Sequence, residues 1–293
     1  MPEEGEYILR HIGFSKAEKP ILSFQHGEII TDFSPYSQTL TLQFNMDTRF
    51  CTGWHDLKTG KDHVCPNSNV IDGKYNQCAA CQKRTGFNPA FYNAASVSAQ
   101  QEERNLEPHT VYLAYFAPNV IKVGISHSAR GTARLLEQGA RSAIILETFP
   151  SAHIARQYEA KIAALPYIVE TVQIRKKITV LQEPYDEVMV AAALTRAKKQ
   201  IEIDITKTFD NSYPLSLDHQ FFPDGLPSIK DSFEITNPPV LSGKVVGMLG
   251  SLLFCTQQDA VFFMPLKKYV GYKLLFSHDE VPMSLPIRQT SLF

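Results

Sequence analysis

Apolar and polar positions alternate in several short runs along this chain, and in two stretches they recur every three or four residues. Near the N-terminus, Ile21 to Phe24 and Thr39 to Phe44 read as strands. In the second run Leu40, Leu42 and Phe44 alternate with polar residues, the period of a half-buried strand. Gly27, Pro35 and Ser37 punctuate between the two. Past residue 50 the pattern dissolves into loop chemistry. Gly53, Gly60, Pro66, Gly73 and Gly86 are scattered through a stretch that needs something to hold it.

The middle of the chain is more regular. After a polar stretch from Ser96 to Pro108, read as a linker or exposed helix, Val111 to Phe116 and Val120 to Ile125 predict a hairpin closed by Pro118-Asn119. A helix is predicted from about Ala129 to a C-cap at Gly139. A third strand, Ala143 to Phe149, leads to a helix capped by Ser151 and running to about Leu165. Its apolar stripe is Ala155, Tyr158, Ile162 and Leu165. Alanine-rich Glu187 to Lys199 predicts one more helix.

From Ile201 the residues Ile201, Ile203 and Ile205 alternate as a strand would. Gly243–Gly247, Ser251–Cys255, Ala260–Phe263 and Tyr269–Phe276 read as a small antiparallel sheet or barrel. The expected fold class is therefore α+β, in three units. A β-rich segment spans 1–105, a central α/β unit 106–200 and an antiparallel β unit 201–293.

Composition narrows the functions open to such a chain. It has 293 residues, 44% of them hydrophobic and 20% charged, enough for a sizeable core. The formal net charge of -1 argues against nucleic-acid binding through bulk charge, so any such contact must come from a local patch. The acidic N-terminus does not resemble a signal peptide, and the apolar stretch Val245 to Cys255 falls far short of the ~20 residues of a spanning helix. A cytoplasmic protein without a membrane partner is expected.

Four of the five cysteines lie between Cys51 and Cys81. In a reducing compartment such a cluster points to metal rather than to disulfides. Cys78-Ala79-Ala80-Cys81 is a CxxC knuckle whose two sulfurs can reach one tetrahedral ion. Cys51 and Cys65 would complete a closed structural zinc site. His55 and His63 are alternative ligands, and a metal-free or redox CxxC is the competing reading. Cys255, in an apolar run, is expected to be a small buried residue.

Thr110-Val111-Tyr112 and Lys122-Val123-Gly124 resemble the paired tripeptides of the GIY-YIG nucleases. Ile121 to Ile125, Arg130-Gly131 and Arg134 to Ala140 are similar to the bacterial domain-of-unknown-function family 2797, which also carries an upstream cysteine cluster. The resemblance implies a central GIY-YIG-like domain and phosphodiester hydrolysis. In it Tyr112 would be a base or water-orienting phenol, Arg134 a phosphate clamp with Arg130 as rival, and Glu159 the holder of a magnesium ion. Thr110 and Lys122 depart from the tripeptide pattern, and Lys122 could contact phosphate or act as a base. Tyr112 could instead simply pack, Arg134 pair with Glu137, and Glu159 pair with Arg156. Arg130 and Arg141 join Lys122 and Arg134 as candidates to track a nucleic-acid backbone. Arg175-Lys176-Lys177 and Arg196 to Lys199 are two further basic runs. A non-catalytic, zinc-stapled module binding nucleic acid or a protein is the alternative function.

Overall fold

The computed structural model describes residues 1–85, 99–169, 171–210 and 213–283. Gly86, residues 96–98 of the polar stretch and residues 284–293 of the expected C-terminal unit lie outside them. The chain runs β1 (Gly5–Phe14), β2 (Pro20–His26), β3 (Ile29–Phe33), β4 (Thr39–Arg49), then the short pair β5 (Trp54–His55) and β6 (Asp62–His63). Helices α1 (Ala79–Thr85) and α2 (Ala99–Asn105) follow. The middle is β7 (His109–Ala117), β8 (Val120–His127), α3 (Ala133–Gln138), β9 (Ser142–Phe149), α4 (Ala152–Ala163), α5 (Ile174–Leu181) and α6 (Glu187–Asp204). The last part contributes β10 (Leu215–Ser216), β11 (Phe233–Glu234), β12 (Val240–Leu249), β13 (Leu252–Gln257), β14 (Ala260–Pro265) and β15 (Tyr272–Ser277). The mixed α+β class expected from the sequence holds.

Strands from the two ends of the chain share one sheet. Among the described residues its order is β11-β14-β13-β12-β4-β15-β1-β2-β3. β4, from the N-terminal segment, lies between β12 and β15 from the C-terminal one, with Leu42 opposite both Leu241 and Phe276. Hydrogen bonding thus crosses the expected boundaries and leaves the central unit as an insertion between strands of one sheet. Short-range pattern cannot reveal such pairing, because strands of equal period are interchangeable until their partners are known.

The central unit is a second sheet, β10-β9-β7-β8. β7 shows why Val111 to Phe116 is apolar throughout. Tyr112, Ala114 and Phe116 face the core shared with the large sheet, whereas Val111, Leu113 and Tyr115 face a second core under α4 and α6. A strand buried on both sides has no polar face to alternate. Asn119, in the left-handed region at φ 61°, closes the β7–β8 hairpin. Ser151 caps α4 by accepting from the Ile154 amide.

Two expected elements change. The helix predicted from Ala129 breaks at Gly131 (φ 50°) into a 3-10 turn, Ser128–Arg130, and the short α3, which ends on left-handed Gly139 (φ 74°). The predicted strand at Ile201–Ile205 is instead the end of α6, which runs on to Asp204. Ile203 is 71% exposed while Ile201 is fully buried beside Val190 and Leu194. The positions 190, 194, 201 and 205 follow the helical period, so the local two-residue alternation was coincidental.

Candidate functional site

The cysteine cluster is assembled from three pieces of backbone. Cys51 follows β4, Cys65 follows β6, and Cys78 and Cys81 bracket the start of α1. The Cys51 amide donates to the Asn69 carbonyl at 2.8 Å, and Thr52 donates to the Asn76 carbonyl at 2.9 Å, which folds the long loop back over the cluster. All four sulfurs lie within 4.8 Å of one another. Tetrahedral zinc–thiolate geometry places sulfurs about 3.8 Å apart, so these donors fit a metal ion without moving their backbones far.

Hydrogen bonding supports the same reading. The Cys51 sulfur accepts from the amides of Gly53 at 3.4 Å and Cys78 at 3.1 Å. Burial pushes the Cys51 and Cys81 thiols up. Burial also opposes ionisation at Cys78, but a hydrogen bond from Asn69 and contacts within the cluster bring that thiol down to about 6. A cation at the centre would draw the protons off all four. His55 and His63 are otherwise engaged: His55 Nδ1 meets Asp62 at 2.9 Å, and the His63 ring stacks on Trp54 at 4.1 Å. Cys255 is buried in the sheet core, its thiol donating to the Ser242 carbonyl.

The second constellation sits where the hairpin meets α3 and α5. Tyr112 pairs across the strands with Gly124. Its phenol lies over that glycine so closely that a Cβ there would stand 2.6 Å from the oxygen. This contact explains why a glycine ends the second tripeptide. The phenol is 2% exposed and accepts a 2.7 Å hydrogen bond from Gln138. Burial pushes it up, and the Arg134 guanidinium works against that shift while Glu159 adds to it. Burial likewise raises the Glu159 carboxyl, against the pull of Arg156 and Lys122. Arg134 and Glu159 thus act on the Tyr112 phenol, and Lys122 acts on Glu159.

Lys177 of α5, named in the sequence only as part of the basic run Arg175-Lys176-Lys177, is set apart by its surroundings. Its stem packs beside Gly139, 3.6 Å from where a Cβ would be, and its ammonium stands 6.0 Å from the Phe116 ring centre. Burial first, then Lys267, Lys122 and Arg134, bring it down to about 8. Nothing but helical phase distinguishes Lys177 from Lys176 in sequence. Lys267 arrives from the far end of the chain, just after β14.

The carboxylates and arginines around it differ in how far they are already paired. Arg130 Nη2 donates to both oxygens of Glu137 at 2.6 Å. Arg134 meets Glu137 only at 3.7 Å and keeps 43% of its side chain exposed. Glu159 accepts from Arg156 at 2.8 Å. Arg141 is 3% exposed, with its donors on Asp218 and on the Val180 and Glu183 carbonyls. It cannot reach a surface ligand. A resident magnesium ion does not fit this region: Glu159 has cations for neighbours, and the hard dication needs several oxygen donors. Among the described residues, the four cysteines form the one grouping of three or more metal-ligand side chains.

The model of the family described as protein of unknown function DUF2797 matches residues 38–274. The chain belongs to that family. The matched span holds all four cluster cysteines, Tyr112, Arg134, Lys177 and Lys267, and leaves out β1 to β3. No curated protein and no solved structure matches the chain. Among the described residues, no helix is long and apolar enough to cross a membrane.

Proposed function

We propose that this family member binds nucleic acid at the basic site around Lys177, with zinc in the four-cysteine cluster as a structural staple. One observation carries the reading. Lys267, Lys122 and Arg134 all act electrostatically on Lys177, and every charged group acting on it is itself a cation. Such crowding disfavours the free state and is relieved by a polyanion. Phosphodiester oxygens suit it, since the Arg134 fork can take two of them and the lysines act as point charges. The local patch meets the requirement set by a net charge of -1, and the GIY-YIG-like hairpin fits the same ligand class.

Binding is the activity this donor set supports best. The Tyr112 phenol is buried and raised, which disfavours it as a base. The nearness of Tyr112, Arg134 and Glu159 favours hydrolysis as a second reading. Labelled single-stranded, duplex and branched oligonucleotides, titrated across a salt series with and without magnesium, test both. The expected result is salt-dependent binding weakened by Lys177→Gln and Arg134→Gln, with substrates left intact. Cutting that Glu159→Ala abolishes would move the conclusion to hydrolysis. Absence of binding at low salt would remove it. Elemental analysis of freshly purified protein is expected to find about one zinc per chain.

A further inference from the structure

β1 carries an irregularity that re-aims one side chain. Its pairing with β2 steps from Leu9–Phe24 to His11–Ser23, so Arg10 is the extra residue of a bulge. Bulges turn a side chain away from the strict alternation of the strand. Here Leu9 and Arg10 are consecutive and both buried, Arg10 being only 7% exposed. The guanidinium leaves the large sheet and enters the loops of the cysteine cluster. Its Nε donates to the Thr52 carbonyl at 2.7 Å, and Nη2 donates to the carbonyls of Thr52 and, at 3.0 Å, of His63.

Those carbonyls are informative. Thr52 follows Cys51, and His63 is two residues before Cys65. One planar fork thus spans the two backbone arms that bring the non-knuckle sulfurs together. Left-handed Gly53 (φ 81°) lets the arms close. A Cβ there would stand 1.9 Å from the His63 carbonyl oxygen and 3.0 Å from Arg10 Nη2. Nη1 is buried with no acceptor among the described residues, so the charge is answered at longer range by the carboxylates of Asp62 and Asp32. Nη2 alone meets both carbonyls and Nε adds a second bond to Thr52, so a lysine loses the Nε bond and the planar fork that fixes Nη2 between the two arms.

We infer that Arg10 is a positioning residue for the metal cluster, a clasp through which the nine-stranded sheet and metal retention at Cys51 and Cys65 stabilise each other. The inference rests on the zinc reading above. Outer-shell groups that orient ligands typically alter metal affinity by about 10- to 100-fold. Coupling of this kind is reciprocal: if the clasp helps hold metal, metal must help hold the sheet through the clasp.

The experiment uses the full chain as wild type, Arg10→Met and Arg10→Lys. Zinc release to a chromogenic chelator is timed, and thermal unfolding is followed with zinc bound and after chelation. Zinc in the wild type is the prior check, and its absence removes the zinc reading itself rather than the clasp alone. Both variants are expected to release zinc about tenfold faster or more. Chelation should lower the melting temperature of the wild type, and by clearly less in Arg10→Met. A residue that only stabilises the fold would lower both melting temperatures equally and leave release unchanged, which overturns the proposal. If Arg10→Met does not fold, Arg10→Lys decides: it keeps the charge and loses the Nε bond and the planar fork, and a wild-type release rate refutes the clasp.

Discussion

Replacing Arg141 by methionine separates an arginine that builds the fold from those that can meet a ligand. Arg141 lies between α3 and β9, and its guanidinium donates to Asp218 Oδ1 at 2.6 Å, to the Val180 carbonyl at 3.0 Å and to the Glu183 carbonyl at 2.9 Å. It also stands over the Tyr185 ring at 4.9 Å. Methionine can occupy part of the space but donates nothing. Three acceptors then each lose a donor, one of them a carboxylate whose side chain is 26% exposed. Breaking a buried ion pair from one side costs about 3–5 kcal/mol, and the partial exposure of Asp218 argues for the lower end, about 3 kcal/mol. With about 3 kcal/mol/M as the urea dependence, the midpoint should fall by roughly 1 M. Removing both charges, as Arg141→Met with Asp218→Leu, should recover part of that loss, because no orphaned ion remains. Urea unfolding followed by circular dichroism measures all of this. A single variant within about 1 kcal/mol of wild type would show the pair to be dispensable. Oligonucleotide affinity of the folded variant should not change.

The remaining predictions follow from the two sites. Lys177→Gln should weaken oligonucleotide binding and reduce the salt slope by about one charge, read from anisotropy titrations. Because the folded Lys177 sits at about 8 rather than its ordinary 10.5, the native state binds fewer protons than the unfolded chain between those values. Stability should therefore rise as pH climbs from about 8 toward 10.5, and Lys177→Met should flatten that rise in urea midpoints collected against pH. An anion beside Lys177 favours its charged form, so binding near pH 8 to 9 should take up protons; calorimetry in buffers of different ionisation enthalpy checks the sign. Gly124→Ala puts a methyl where the Tyr112 phenol lies, and displacement of that ring should cost about 1–3 kcal/mol and alter binding if the site is the functional one. Cys78→Ser should abolish metal retention, and a full complement of zinc in that variant would contradict the four-thiolate reading.

The chain by itself determined what depends on neighbours in sequence. The hairpin around Pro118-Asn119, the Ser151 cap, the Gly139 stop and the CxxC half of the cluster rest on dihedral preferences and short spacings, and they stand in the structure. Tyr112, Arg134 and Glu159 were nameable through a resemblance to known tripeptides. Tertiary structure alone decided the rest. β4 finds β12 and β15 some two hundred residues away because matching apolar faces have to be buried together, and no local period encodes which strand supplies the match. The same assembly lets Lys267 act on Lys177, and a bulge in the β1–β2 pairing sends Arg10 into the cysteine loops. It also buries Arg141, which in sequence looks no different from the exposed Arg134. Charge and ligand chemistry are properties of residue types, but whether a cation meets a ligand, a carboxylate or a carbonyl is set by packing between distant elements.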